Sequence, residues 1–170
     1  STLTPVEALT LLQEVDTVGL AEVMGAEIVA ALRHGRPSDL SLLTQAVRNR
    51  RTPEGHLFFT RGAELDACLA VGLSSDHEPR RQDEVAEKIR KGAFVMLRNG
   101  TLAREVETLV EVIPRERLPA DRVGLVTDDM LVTHMTPDGY MLHKVRVAIK
   151  AGIPAAEALR MVSTNVAEHY

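Results

Sequence analysis

The chain has 170 residues, 45% of them hydrophobic and 26% charged, with a formal net charge of −4. That is a globular balance, long enough for a sizeable core and short of the ~250 residues of a complete (β/α)8 barrel. No apolar run approaches the ~18 residues of a membrane span, and the short basic clusters Arg48 to Arg51 and Arg80-Arg81 carry no interleaved aromatics, which argues against nucleic acid as a partner.

In chain order, Thr4-Pro5 opens an amphipathic helix through Leu12, and Thr17 to Leu20 follows as a short buried strand. Two helical segments come next, Glu27 to Leu32 and Leu40 to Val47, broken at Gly35 and Pro37. A second strand is expected near His56 to Phe59, a helix over Gly62 to Ala70, a third strand over Val71 to Ser75, and a charged helix over Gln82 to Lys91. The fourth strand is Ala93 to Leu97, followed by a helix over Leu102 to Val112, and the fifth is Val123 to Val126. Helices over Met141 to Ala151 and Ala155 to Ala167 close the chain.

Strands apolar on both faces and alternating with helices predict an α/β fold with a parallel sheet, here about five strand–helix units of a partial (β/α)8 TIM-type barrel. No composition shift or linker divides the chain, so residues 1–170 are expected to form a single structural unit. Cys68 alone supports neither a disulfide framework nor a thiolate zinc cage, and the start of the chain does not read as a signal peptide. Both point to the cytoplasm.

In parallel βα architectures the ligand site forms outside the carboxyl ends of the strands. Glu22 follows the first strand, His56 lies near the second, His77 and Glu78 follow the third, and Asp128 follows the fifth. Taken singly, Glu22 reads as a helix-start acid, His56 as a turn residue and Asp128 as a cap. Together, two imidazoles and two carboxylates at four of the five strand ends form a donor set for Zn²⁺, Mn²⁺ or Fe²⁺. His34, His134, His143 and His169 lack that placement and read as surface or packing residues. The Pro-Cys-x-x-Cys of cytidine-type deaminases, the glycine-rich phosphate loops and the Gly-x-Ser-x-Gly elbow are all absent.

Gly19-Leu20-Ala21-Glu22-Val23-Met24, Gly55-His56, Ser75-Asp76-His77-Glu78, Leu97-Arg98-Asn99-Gly100-Thr101 and Thr127-Asp128-Asp129 succeed one another in an order that resembles the bacterial adenine deaminases of the amidohydrolase superfamily. The resemblance runs over essentially the whole chain and covers the later part of that family's catalytic barrel, from its fourth strand onward. It implies metal-dependent hydrolytic deamination of adenine to hypoxanthine and ammonia. Glu22, His56, His77 and Asp128 are then metal ligands of a binuclear centre, with Mn or Fe expected and Zn an alternative, Asp128 also shuttles a proton, and Glu78 hydrogen-bonds or protonates the purine ring. The family's His-x-His pair does not occur here, so this chain by itself is expected to be inactive, and its strands to be covered by the missing barrel half or by another chain in a homo-oligomer. An amidohydrolase acting on another aminated heterocycle or a cyclic amide, and a catalytically incomplete half-barrel serving as an assembly module, are the competing readings.

Overall fold

The computed structural model describes residues 4–170, which divide into two compact units, the first running to Ser75 and including Tyr170, the second spanning Asp76–His169.

The first unit opens with α1 (Pro5–Gln13), capped as its sequence demands. The Thr4 hydroxyl accepts from the Glu7 N–H at 3.3 Å, and the Glu7 carboxylate accepts from the Thr4 N–H at 2.7 Å. Strand β1 (Gly19–Met24) pairs in parallel with β2 (Thr52–His56). Between them lie α2 (Gly25–Arg33), a 3-10 turn at Pro37–Leu40 and α3 (Ser41–Arg48), and α4 (Gly62–Ala70) follows β2. Ile28, Val29, Leu43, Leu57, Leu65, Cys68 and Leu73 form this unit's core. Arg51 fastens the end of α1, donating to the carbonyls of Leu12 at 3.1 Å and Glu14 at 2.7 Å.

The second unit carries a sheet in the order β3 (Ser75–Asp76), β4 (Phe94–Arg98), β5 (Val123–Val126), with β4 and β5 parallel and paired from Val95↔Val123 to Arg98↔Val126. Helix α5 (Gln82–Arg90) lies between β3 and β4, and α6 (Val106–Leu109) and α7 (Val112–Arg115) between β4 and β5. After β5 come α8 (Val132–Asp138), α9 (Tyr140–Lys150), α10 (Ala155–Arg160) and α11 (Thr164–His169). A core centred on Val95, Leu97, Val123 and Leu125 packs against Val85, Ile89, Leu109, Ile113, Val145 and Met161. Such burial contributes about 25 cal/mol per Å² of apolar surface removed from water.

The α/β class and the parallel pairing agree with the sequence pattern, and several boundaries differ for local reasons. The strand expected over Val71 to Ser75 shrinks to Ser75–Asp76, because Gly72 adopts φ +106° and closes α4 with Leu73 N–H returning to the Cys68 carbonyl. Strand β2 ends at His56, and Phe59 takes φ 51° in the turn beyond it. The helix expected from Leu102 starts only at Val106 and splits in two. Pro114 has no N–H to offer the Val110 carbonyl, which instead accepts the Ile113 N–H at 3.2 Å in a tighter turn. The helix expected over Ala155 to Ala167 breaks at Met161 to Ser163, where the Met161 carbonyl takes the Leu125 N–H of β5 at 2.9 Å and the Ser163 hydroxyl donates to the Leu159 carbonyl at 2.7 Å. Helix α8 had no counterpart in the periodicity. Among the described residues no helix is long and apolar enough to cross a membrane.

Candidate functional site

In the first unit the structure brings Glu22 and His56 together. His56 is the last residue of β2 and stands in register with Met24, the last of β1. Glu22 lies inside β1 rather than after it, where three residue steps of β1, from Leu20 to Val23, oppose two of β2, from Pro53 to Gly55. This bulge turns Ala21 and Glu22 outward, and both are exposed. The Glu22 carboxylate oxygen Oε2 then lies 3.4 Å from His56 Nδ1, with the imidazole largely buried at 23% exposure and the carboxylate half exposed at 54%. An imidazole nitrogen beside a carboxylate oxygen at the mouth of a parallel pair is a donor combination that divalent ions accept.

Close pairing also places a buried carboxylate below this mouth. Glu54 of β2 accepts from the Ser75 hydroxyl, which in turn accepts the Gly55 N–H at 3.2 Å. Burial, reinforced by the neighbouring Glu54 charge, pushes the Tyr170 phenol above its ordinary value. Glycine is required at position 55, since an added Cβ would meet the Ser75 carbonyl oxygen at 2.3 Å.

In the second unit Asp76, His77 and Glu78 leave the end of β3 in a turn fixed by Asp76, whose Oδ1 accepts the Glu78 N–H at 3.1 Å. The other Asp76 oxygen takes the Lys88 ammonium at 2.7 Å, and Lys88 also faces Glu84 at 3.6 Å, all three side chains being fully buried. His77 itself is partly buried.

Glu78 and Asp128 are brought together by a residue to which the sequence reading gave no catalytic role. Arg98, the last residue of β4 and 6% exposed, donates from one guanidinium nitrogen to Glu78 Oε1 and, at 2.5 Å, to Asp128 Oδ2. Its second nitrogen reaches Glu78 Oε2 at 3.1 Å. Arg80 adds a contact to Glu78 Oε2 at 3.3 Å and pairs with Glu105. The signal in the sequence was an arginine closing an otherwise apolar strand, a position where a charge survives burial only if paired. Asp128 adopts φ 58°, a left-handed conformation that aspartate tolerates better than most residues.

Asp129, next in the chain, ties the two loops together. Its carboxylate accepts the N–H groups of Thr101 at 3.1 Å and Leu102 at 2.8 Å, and the Thr101 hydroxyl accepts the Leu131 N–H at 2.8 Å. The Leu102 N–H foremost holds the Asp129 carboxyl below its ordinary value. His134 contacts the Thr101 hydroxyl at 3.1 Å, and His169 stacks on Phe94 with ring centres 4.2 Å apart.

No family model matches the chain. It is 31% identical to an adenine deaminase of Cereibacter sphaeroides over 170 residues, all of this chain and 29% of that protein. An adenine deaminase of Staphylothermus marinus is 32% identical over 151 residues, 89% of this chain and 24% of its own length. One from Bacillus velezensis is 33% identical over 158 residues, 93% of this chain and 26% of its own. Over essentially its whole length, then, the chain is homologous to one part of the adenine deaminases, spanning about a quarter of the length of these relatives.

Proposed function

We propose that, within a longer protein, this chain supplies metal-binding and proton-transferring residues for the hydrolytic deamination of adenine to hypoxanthine and ammonia. The observation that carries the reading is the end-to-end similarity to proteins named adenine deaminase. Its strand–helix units would form the later part of a (β/α)8 barrel, in a cytoplasmic homo-oligomer whose remaining barrel elements cover the strands.

Glu22, His56, His77 and Asp128 are the proposed ligands of a divalent centre, binuclear with Mn or Fe. The Glu22–His56 pair supports this assignment, since its oxygen and nitrogen donors are already neighbours. A divalent ion held there supplies Lewis acidity and makes a nucleophile of water at neutral pH.

The remaining chemistry belongs to the side chains. Deamination forms a bond from a water oxygen to the amine-bearing carbon and breaks that carbon's bond to nitrogen, so a proton must travel from water to the leaving amine. Asp128 carries it, a carboxylate being able to accept a proton from one group and return it to another. Of the two roles open to Glu78, hydrogen bonding to the purine ring is the one its surroundings support. Both its oxygens already accept from guanidinium groups, which only donate, and each oxygen has two lone pairs, so Glu78 retains capacity to accept a ring N–H.

The test is to incubate the full-length protein containing this chain with adenine and Mn²⁺ and follow hypoxanthine and ammonia. Release of ammonia from adenine at enzyme-like rates is expected, with little from the 170-residue chain alone. Turnover of another aminated heterocycle or a cyclic amide in its place would overturn the substrate, and a folded, metal-loaded full-length protein inert towards all of them would support the assembly module.

A further inference from the structure

We infer that Arg98 is a positioning residue that sets the direction of the Asp128 carboxylate. The inference rests on the proposed role of Asp128, and its structural half stands without that role.

Asp128 sits on the loop after β5, and its side chain is 34% exposed. A carboxylate so placed ordinarily samples several rotamers. Arg98 is different, closing β4 with a side chain only 6% exposed. A guanidinium is planar and rigid, so two of its bonds fix the directions of the rest. Glu78 supplies those two bonds, one to each of its oxygens, and is itself 8% exposed and held by Arg80. With the fork locked on Glu78, the nitrogen that bonds Glu78 Oε1 has one direction left, and Asp128 Oδ2 lies along it at 2.5 Å.

Glu105 completes the support from the other side. Its carboxylate pairs with Arg80 and stands 4.0 Å from Arg98, so Glu78, Arg98, Glu105 and Arg80 close into a ring of two cations and two anions. The ring is neutral in itself, and Asp128 is an additional acceptor on its rim. If Arg98 served only to neutralise Glu78, no bond to a more exposed loop aspartate would be needed. The shared nitrogen makes the orientation of one carboxylate depend on that of the other.

The experiment uses the full-length protein with Arg98→Lys, Arg98→Met and, as a surface control, Arg90→Met, whose partner is Glu116 at the rim of the fold. Lysine keeps the charge and loses the fork. In Arg98→Lys, kcat for adenine is expected to fall about 100-fold, the scale of a misplacement near 1 Å, with KM unchanged. Crystal structures of parent and variant are expected to show the Asp128 carboxylate displaced or split between rotamers while Glu78 stays in place. Retention of kcat within about threefold, or an Asp128 unmoved in the variant, would overturn the inference. Should Arg98→Met fail to fold, Arg98→Lys decides alone. A parent inert towards adenine removes the proposed function, and the position of Asp128 in the two structures then decides this inference by itself.

Discussion

The ammonium of Lys88 lies 2.7 Å from Asp76 Oδ2, and neither side chain is exposed to solvent. Glu84, equally buried, stands 3.6 Å away, so one cation serves two carboxylates inside the second unit. Replacing Lys88 by methionine removes this cation from both buried carboxylates. Breaking a buried pair from one side costs about 3–5 kcal/mol, and urea denaturation of Lys88→Met should show a loss of that order. Neutralising the whole group, in Lys88→Met with Asp76→Asn and Glu84→Gln, should recover much of it. A triple variant no more stable than the single one would show that packing around Lys88, rather than charge, sets the cost.

Cys68 is expected to be chemically silent in the folded chain. Its thiol is fully buried, and burial, aided by the nearby Glu64 charge, pushes its pKa up to about 11. At pH 8 roughly one molecule in a thousand then carries the reactive thiolate, before access is considered. Iodoacetamide should leave the native protein unlabelled and modify it at once in urea, as read by intact mass. Fast labelling without denaturant would mean that the core of the first unit opens readily.

The loop tie made by Asp129 should weaken in acid. Backbone N–H donors, that of Leu102 first, hold its carboxyl below the ordinary value of 3.8. Because the unfolded chain then binds the proton more readily than the folded one, the contribution is complete above that value and disappears as pH falls through the lowered one. Comparing denaturation of the parent and Asp129→Asn between pH 6 and pH 2, spans chosen around that interval, the parent should lose more stability below about pH 4. Parallel curves would remove the tie from the account of acid stability.

Bound metal should depend on the bulge in β1 as well as on the histidine opposite it. Dialysed against Mn²⁺ and measured by elemental analysis, full-length His56→Ala and Glu22→Ala should both retain less metal than the parent. His34→Ala is the control, since His34 is an exposed residue at the end of α2. Equal metal in all three would sink the ligand assignment while leaving the strand pairing untouched.

Much of the architecture was legible in the order of the residues. The fifth strand, Val123–Val126, and helix α4, Gly62–Ala70, fall where the apolar runs place them, and α1 opens at Thr4-Pro5 as expected. Local sequence placed a strand beside His56 but set it over His56 to Phe59, whereas the strand ends at His56 and Phe59 lies in the turn beyond it. The boundaries that moved did so through partners distant in sequence or through a missing donor. The Met161 carbonyl is claimed by Leu125, the Thr101 and Leu102 N–H groups by Asp129, and the Val110 carbonyl lacks a donor at Pro114.

The presence of acidic and histidine residues close to the strands was determined by sequence alone, since residue type and spacing around an apolar run are local properties. Which of them touch was decided by tertiary structure. The bulge that carries Glu22 to within 3.4 Å of His56 depends on the register between β1 and β2, and register is a relation between strands separated by two helices. Arg98 meets Glu78 from 20 positions away and Asp128 from 30, and nothing in the chain between them encodes that meeting. It exists because β4 neighbours β3 and pairs in parallel with β5, so an arginine that must be paired finds its carboxylates beside it.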